Sequence, residues 1–282
     1  MSLALRAVLI VTGIADAILA VGFALRLSWA TGTWPWTEGR LTYLFLASML
    51  AAVSVALLWI GVTGEWGSLP AGSLNLVVMM GGIAISFIPA AIHSGDNQLL
   101  AYAIAAGIAA LVSLAFFLWS LRLPVAHYQP LPRAVRYSYI LFAAVLVLVG
   151  GALIMRRPDI MPWPVSGDTS TVIGWMFFGD AWYFAYALVR PYWQCARTQL
   201  FSFLIYDLAL ILPFLNHLSV VQPHLRPNLI LYIAVLIYSG SLALYFLLIH
   251  PTTRLRHTAP SRSHPDPNPG SKVKVGPVAL KL

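Results

Sequence analysis

Three aspartates, Asp16, Asp180 and Asp207, each fall near the centre of a long apolar run. A carboxylate at the middle of a bilayer costs about 2.5–3.5 kcal/mol on insertion scales, so three unpaired, lipid-facing ones would cost on the order of 8–10 kcal/mol if the terms add. No Lys or Arg lies at midspan to neutralise them. They must face the interior of a helix bundle, find hydrogen-bond partners, or carry a proton. Loss of water without a gain of positive charge favours the neutral carboxyl, and a second carboxyl nearby favours it further. The expectation is that at least one of the three is neutral or shares a proton at neutral pH. Such groups could line a cavity for a proton-coupled substrate, a cation or the polar head of a lipid-like molecule. Tyr183, three positions after Asp180, lies on the same helical face. Thr12 precedes Asp16 by one turn, and Ser239 and Ser241 lie at similar depth in the last run. Gly81, Gly82 and Gly240 permit close helix approach. The alternative is that each aspartate bonds a neighbouring helix and fixes packing.

A second constellation is paired. "IPAAIH" (Ile88 to His93) and "LPFLNH" (Leu212 to His217) each place a proline four residues before a histidine at the end of an apolar run. Pro89 and Pro213 each remove a backbone donor and predict a kink in the last turns. His93 and His217 then fall at headgroup depth, where an amphipathic imidazole is at ease. On two helices they also form a minimal bis-imidazole set for haem or a pigment. Against that use, no further buried histidine builds the deeper second layer of a haem bundle. No other cofactor and no metal site is expected.

The elements that must position these groups follow from composition. The 282 residues are 60% hydrophobic and 9% charged, where soluble domains carry about 25% charged residues. The apolar residues come in runs of about twenty, the length that crosses some 30 Å of hydrocarbon as a helix. Lipid tolerates only helices and closed barrels, and these runs lack the alternation of barrel strands. The fold class is an all-α, multi-pass integral membrane protein. Eight spans are expected, at about 4–25, 42–63, 71–93, 98–120, 134–155, 171–190, 198–219 and 228–249, with ends uncertain by a few residues. Arg6 before the first run resembles a signal-peptide start. The run is longer than a signal core, Asp16 interrupts it and no small-residue cleavage site follows, so it reads as a retained helix.

Eight spans place both termini on one side. That side holds twelve cations, including Arg122, Arg133, Arg190, Arg197 and all three lysines, against five on the other. The positive-inside rule makes it the cytoplasmic side; the membrane is expected to be a bacterial cytoplasmic one. The cations sit at helix ends and in the tail, which argues against a nucleic-acid partner. The expected partners are the bilayer and, beyond it, other membrane subunits or a second copy of the chain. Cys195, the one cysteine, is expected in a cytoplasmic loop, reduced, with no disulfide or thiolate cluster.

The paired motifs recur at a shift of four spans. "WPW" (Trp34 to Trp36) precedes span two and "MPWP" (Met161 to Pro164) precedes span six, with the proline-rich "RLPVAHYQPLPR" between the halves. Two tandem four-helix units are inferred, residues 1–121 and 134–250, joined by a linker at 122–133 and followed by a disordered basic tail at 251–282. Four is even, so the units share one orientation and a pseudo-two-fold axis along the membrane normal, unlike inverted-repeat transporters. The segment "MPWPVSGDTSTVIGWMFFGDA" (Met161 to Ala181) resembles a pattern in uncharacterised bacterial polytopic membrane proteins, in which a Pro-Trp-Pro loop leads into a helix opening with Gly-aromatic. A fainter trace lies at "WPWTEGRLTYLFLAS". The resemblance implies the fold and the duplication; no activity comes with it.

No Walker A loop, His-Glu-x-x-His helix or Gly-x-Ser-x-Gly elbow is present. No midspan lysine can carry a retinal Schiff base. The functional expectation is small-molecule binding or proton-linked transport through a carboxylate-lined cavity. The alternatives are a non-catalytic subunit of a larger membrane complex, an intramembrane enzyme acting on a lipid or isoprenoid, and a haem or pigment carrier.

Overall fold

The computed structural model describes residues 3–123 and 129–254. Most of the tail and the middle of the proline-rich linker lie outside these residues. The chain is all-α: α1 (Leu3–Ala24), a short α2 (Ser28–Thr31), α3 (Arg40–Thr63), a 3-10 turn (Trp66–Ser68) leading into α4 (Leu69–Ser94), α5 (Asn97–Ser120), α6 (Arg133–Ile154), α7 (Gly167–Val189), α8 (Trp193–His217) and α9 (Arg226–Leu244), which continues as a π turn (Tyr245–Ile249). Every helix but α2 is long and apolar enough to cross a membrane, which makes eight spans among the described residues.

Local chemistry sets the ends. The Asp96 carboxylate accepts from the N–H groups of Gln98 and Leu99 at 2.9 and 3.0 Å and starts α5. The Ser166 hydroxyl accepts from Thr169 N–H at 3.2 Å and starts α7. Both are N-caps that satisfy donors the first turn leaves free. Pro70 and Pro227 occupy first turns, where no donor is missed. α1 and α6 end alike. Arg26 and Arg156 both take φ of 54°. Leu27 N–H reaches Gly22 C=O at 2.9 Å, and Arg157 N–H reaches Ala152 C=O at 3.0 Å. This is a Schellman closure with arginine where glycine is usual, a placement that costs about 1–2 kcal/mol.

Two of the expected spans begin earlier than hydropathy suggests. α7 starts at Gly167 because the Ser166 cap sets its first turn, and α8 starts at Trp193. Cys195 is therefore not in a loop. It sits in the first turn of α8, 1% exposed, with its thiol against Gly67 C=O at 3.2 Å. The polar run "QCARTQ" lowers the local hydropathy, but the turn before α4 covers it.

Hydrogen bonds sort the connections onto two faces. On one, called here the near face, Leu131 N–H bonds Pro191 C=O at 2.8 Å, Gln129 bonds Thr252 C=O at 2.8 Å and Ser68 bonds Gln194 C=O at 2.9 Å. On the far face, Ser166 meets Glu38, and Asn228 meets Asp159 C=O. The helices pair in two matching sets: α1 with α3 and α4 with α5, then α6 with α7 and α8 with α9. The sets join through α3 against α8 and α4 against α7. The helices that open and close each set, α1, α5, α6 and α9, lie outside this junction.

Small residues set the approach of α6 and α7. A Cβ on Gly174 would stand 2.7 Å from Gly150 C=O and 2.7 Å from Ile154 N, both backbone atoms that cannot rotate away. Gly174→Ala is expected to cost about 1–3 kcal/mol in denaturation by SDS from mixed micelles. Gly151→Ala, with nothing within 4 Å of the new carbon, is expected to be neutral or slightly stabilising.

Candidate functional site

α7 and α8 bring Asp180 and Asp207 into one neighbourhood within the core. Asp180 points across the junction to α4, where Asn75 Nδ2 donates to its Oδ1 at 2.7 Å. The approach is made by Gly179, whose added Cβ would stand 2.4 Å from Asn75 Oδ1 and 2.9 Å from Asn75 C=O. A carboxylate only accepts, so this bond fixes the Asn75 amide nitrogen toward Asp180 and leaves its oxygen pointing elsewhere. Asn75 Oδ1 is buried and has no partner.

Asp207 is 4% exposed and both of its oxygens lack a hydrogen bond. It faces α9 at Gly240, where a Cβ would meet Oδ2 at 3.5 Å. Ser239 stands beside it, but its hydroxyl donates to Val235 C=O at 2.8 Å. The adjoining Tyr206 shares a hydroxyl–hydroxyl bond with Tyr232 of α9. Both tyrosines lie within electrostatic reach of Asp207 and of Asp180. No Lys or Arg pairs with either aspartate among the described residues.

Toward the near face, Tyr183 is buried between Asp180 and Ser202. Its backbone C=O accepts from Gln199 Nε2 at 2.6 Å. Gln199 is fully buried and its Oε1 has no partner; Ser202 Oγ lies beside the Tyr183 hydroxyl but makes no hydrogen bond of standard geometry. The polar groups of α8 thus run inward from its first turns to its centre. Helical rise puts Gln199, Ser202 and Asp207 about 9, 14 and 21 Å from Trp193.

Asp16 does not join this group. It is half-buried on α1, which packs on α3 and α2 and not on α7 or α8, and it has no hydrogen bond or ion pair among the described residues. Pro89 and Pro213 lie inside α4 and α8 in their last turns. His93 and His217 close the same two helices on the far face. His93 is exposed and His217 half-buried; α4 packs mainly on α5 and α7, and α8 mainly on α3 and α9.

Two closures flank the aspartates, and sequence reasoning missed both. On the near face, Arg197 pairs with Glu65 through Nη2 and through Nε at 3.2 Å. Trp59 Nε1 donates to the same carboxylate at 3.0 Å, and the guanidinium lies 5.6 Å from the Trp59 ring. Ser68 bonds Thr198 beside it at 2.8 Å. On the far face, the two Pro-Trp loops cross. Trp163 Nε1 donates to Thr42 Oγ1 at 3.0 Å, and Trp34 Nε1 donates to Thr169 Oγ1 at 3.3 Å. Between them, the buried Glu38 carboxylate accepts from Ser166 Oγ at 2.6 Å and from Ser166 N–H at 3.2 Å. Clefts of about 380 and 350 Å³ open on this face, one beside Arg26, Trp34 and Glu38, the other beside Arg156, Trp163 and Gln222.

The arrangement is chemically acceptor-rich. It can hold a proton or attract a species that donates hydrogen bonds, and it offers nothing to an anion. Comparison with protein families, with curated proteins and with solved structures finds no match to this chain.

Proposed function

We propose that this chain is a proton-linked carrier of a small molecule in the bacterial cytoplasmic membrane, with its near face cytoplasmic. Asp207 exchanges the proton, and Asp180, held by Asn75, lines the substrate's passage between the halves. The observation that carries this reading is Asp207 itself: 4% exposed, at midspan, with two unpartnered oxygens. A buried charge in that position is costly without a partner, so retention of the acid is explained by use of its proton. The titratable groups around it are Asp180 from α7, Tyr206 on α8 and Tyr232 from α9. α3, which also packs on α8, carries titratable side chains only at Arg40 and Tyr43 in its first turn.

The matched helix pairs, the twin arginine caps and the crossed Trp–Thr bonds support descent from two four-helix units. The closures on opposite faces, both linking residues before 121 to residues after 134, are placed where a carrier of that build would open in alternation.

The test uses the full chain in liposomes containing a trapped pH indicator, challenged with the small-molecule fraction of a cell extract. A pH change inside is expected with the wild type and is absent from Asp207→Asn and Asp180→Asn that retain their fold. Equal responses from all three proteins, or none from the wild type, would refute the reading.

A further inference from the structure

Buried polar atoms in folded chains are paired almost without exception, so a set left unpaired requires an explanation. Here the set is ordered. Asn75 Oδ1, Gln199 Oε1, Ser202 Oγ and both oxygens of Asp207 are buried and unbonded. One further atom, Trp193 Nε1, lies at the near-face end of α8. The amide nitrogens of Asn75 and Gln199 are already committed, to Asp180 at 2.7 Å and to Tyr183 C=O at 2.6 Å. What remains along the path from Gln199 inward is two amide oxygens that only accept, a hydroxyl, and the Asp207 carboxyl, which only accepts when ionised and offers one donor when protonated. Such a set is completed by water or by a cation. The other half of α8 differs: from Leu208 to Leu215 no side chain is polar. The mouth of the polar half lies at the Glu65–Arg197 pair, two residues before Gln199.

We infer that Asp207 receives protons from the near face, along a file of water held by Gln199 and Ser202 of α8 and by Asn75 of α4 and Asp180 of α7. This deepens, and rests on, the assignment of Asp207 as the proton-exchanging group. A metal cation needs about six oxygens converging on one point. The unpaired acceptors are instead spread over more than two turns of α8, and no cluster of three acidic, histidine or cysteine ligands occurs among the described residues. A proton handed along water needs no such convergence, only polar groups to hold each water on the way.

The experiment is infrared spectroscopy of the full chain in lipid nanodiscs, following the carboxylic C=O band that Asp207→Asn removes. On transfer from H2O to D2O, the band shifts as the acid proton exchanges. Ser202→Ala, which deletes one hydroxyl, and Gln199→Leu are each expected to slow that exchange roughly tenfold, the worth of one lost hydrogen bond at the upper end of its range. Tyr232→Phe, on the far-face side of Asp207, is expected to leave it unchanged. Slowing by Tyr232→Phe, or unaltered exchange in both near-side variants, overturns the route while leaving Asp207 as the acid. A band displaced by sodium chloride at fixed pH overturns the proton as the cation. A wild-type spectrum with no such band overturns the assignment of Asp207 itself and the route with it.

Discussion

Leucine at position 207 is expected to make the protein more stable by about 1–3 kcal/mol, and to abolish proton-linked transport. Asp207 has no protein hydrogen-bond partner to lose. Leucine is close to aspartate in shape and removes the cost of burying an unsatisfied polar group, about 1–3 kcal/mol. Gly240 opposite has no side chain, and even a Cβ built on it would stand 3.5 Å from Oδ2, so the two methyl groups that take the places of the carboxyl oxygens need little adjustment. Asp180→Leu has the opposite sign. It strands the Asn75 amide, which now donates at 2.7 Å, and is expected to destabilise by about 1–3 kcal/mol. Denaturation by SDS from mixed micelles reads both, and the liposome pH assay reads transport. If Asp207 served packing, its replacement would cost stability as Asp180 does; a destabilised Asp207→Leu would therefore remove the basis of the proposed function.

The contrast between the two aspartates marks what sequence could reach. Depth within a span follows from counting residues along an apolar run, so Asp180 and Asp207 stand out at once. Asp16 stands out equally, because the count is blind to which helices meet: α1 packs on α3, and only the tertiary arrangement sets Asp16 apart. Asn75 and Gln199 were legible in principle, as amides inside or beside apolar runs, but their meaning depends on which amide atom is already bonded. Glu65 and Arg197 are 132 positions apart and read as ordinary loop and helix-end charges. Their pairing depends on α8 starting at Trp193, five residues earlier than hydropathy places it. The Trp-Pro echo is visible in the sequence, whereas the crossing of Trp163 to Thr42 and Trp34 to Thr169 is a property of the tertiary structure.

Removing Glu65 should cost more than any other charge deletion among the described residues. Its partner Arg197 has a side chain only 8% exposed, and Glu65 itself is 13% exposed. Deleting one member of such a pair leaves a desolvated charge and costs about 3–5 kcal/mol. The two deletions are not equivalent. Arg197→Met leaves Glu65 with the Trp59 indole bond, whereas Glu65→Ala leaves the guanidinium with only the Trp59 ring. Glu65→Ala is therefore the more damaging, and the double variant recovers part of the loss, giving a coupling energy of about 1–3 kcal/mol in a double-mutant cycle. The chain carries its own reporter of the local event. Cys195, 1% exposed and bonded to Gly67 C=O, sits under the same turn, so a maleimide reaches its thiol only when the turn before α4 lifts from α8. Labelling then follows the free energy of that opening. A loss of 3–4 kcal/mol at the latch raises the rate by roughly two to three powers of ten in Glu65→Ala, while Gly174→Ala, weakened at α6 and α7, leaves it near the wild-type value. Equal rates in wild type and Glu65→Ala would mean that the pair is ornament and that the near face is held shut by the Ser68–Thr198 bond and apolar packing alone.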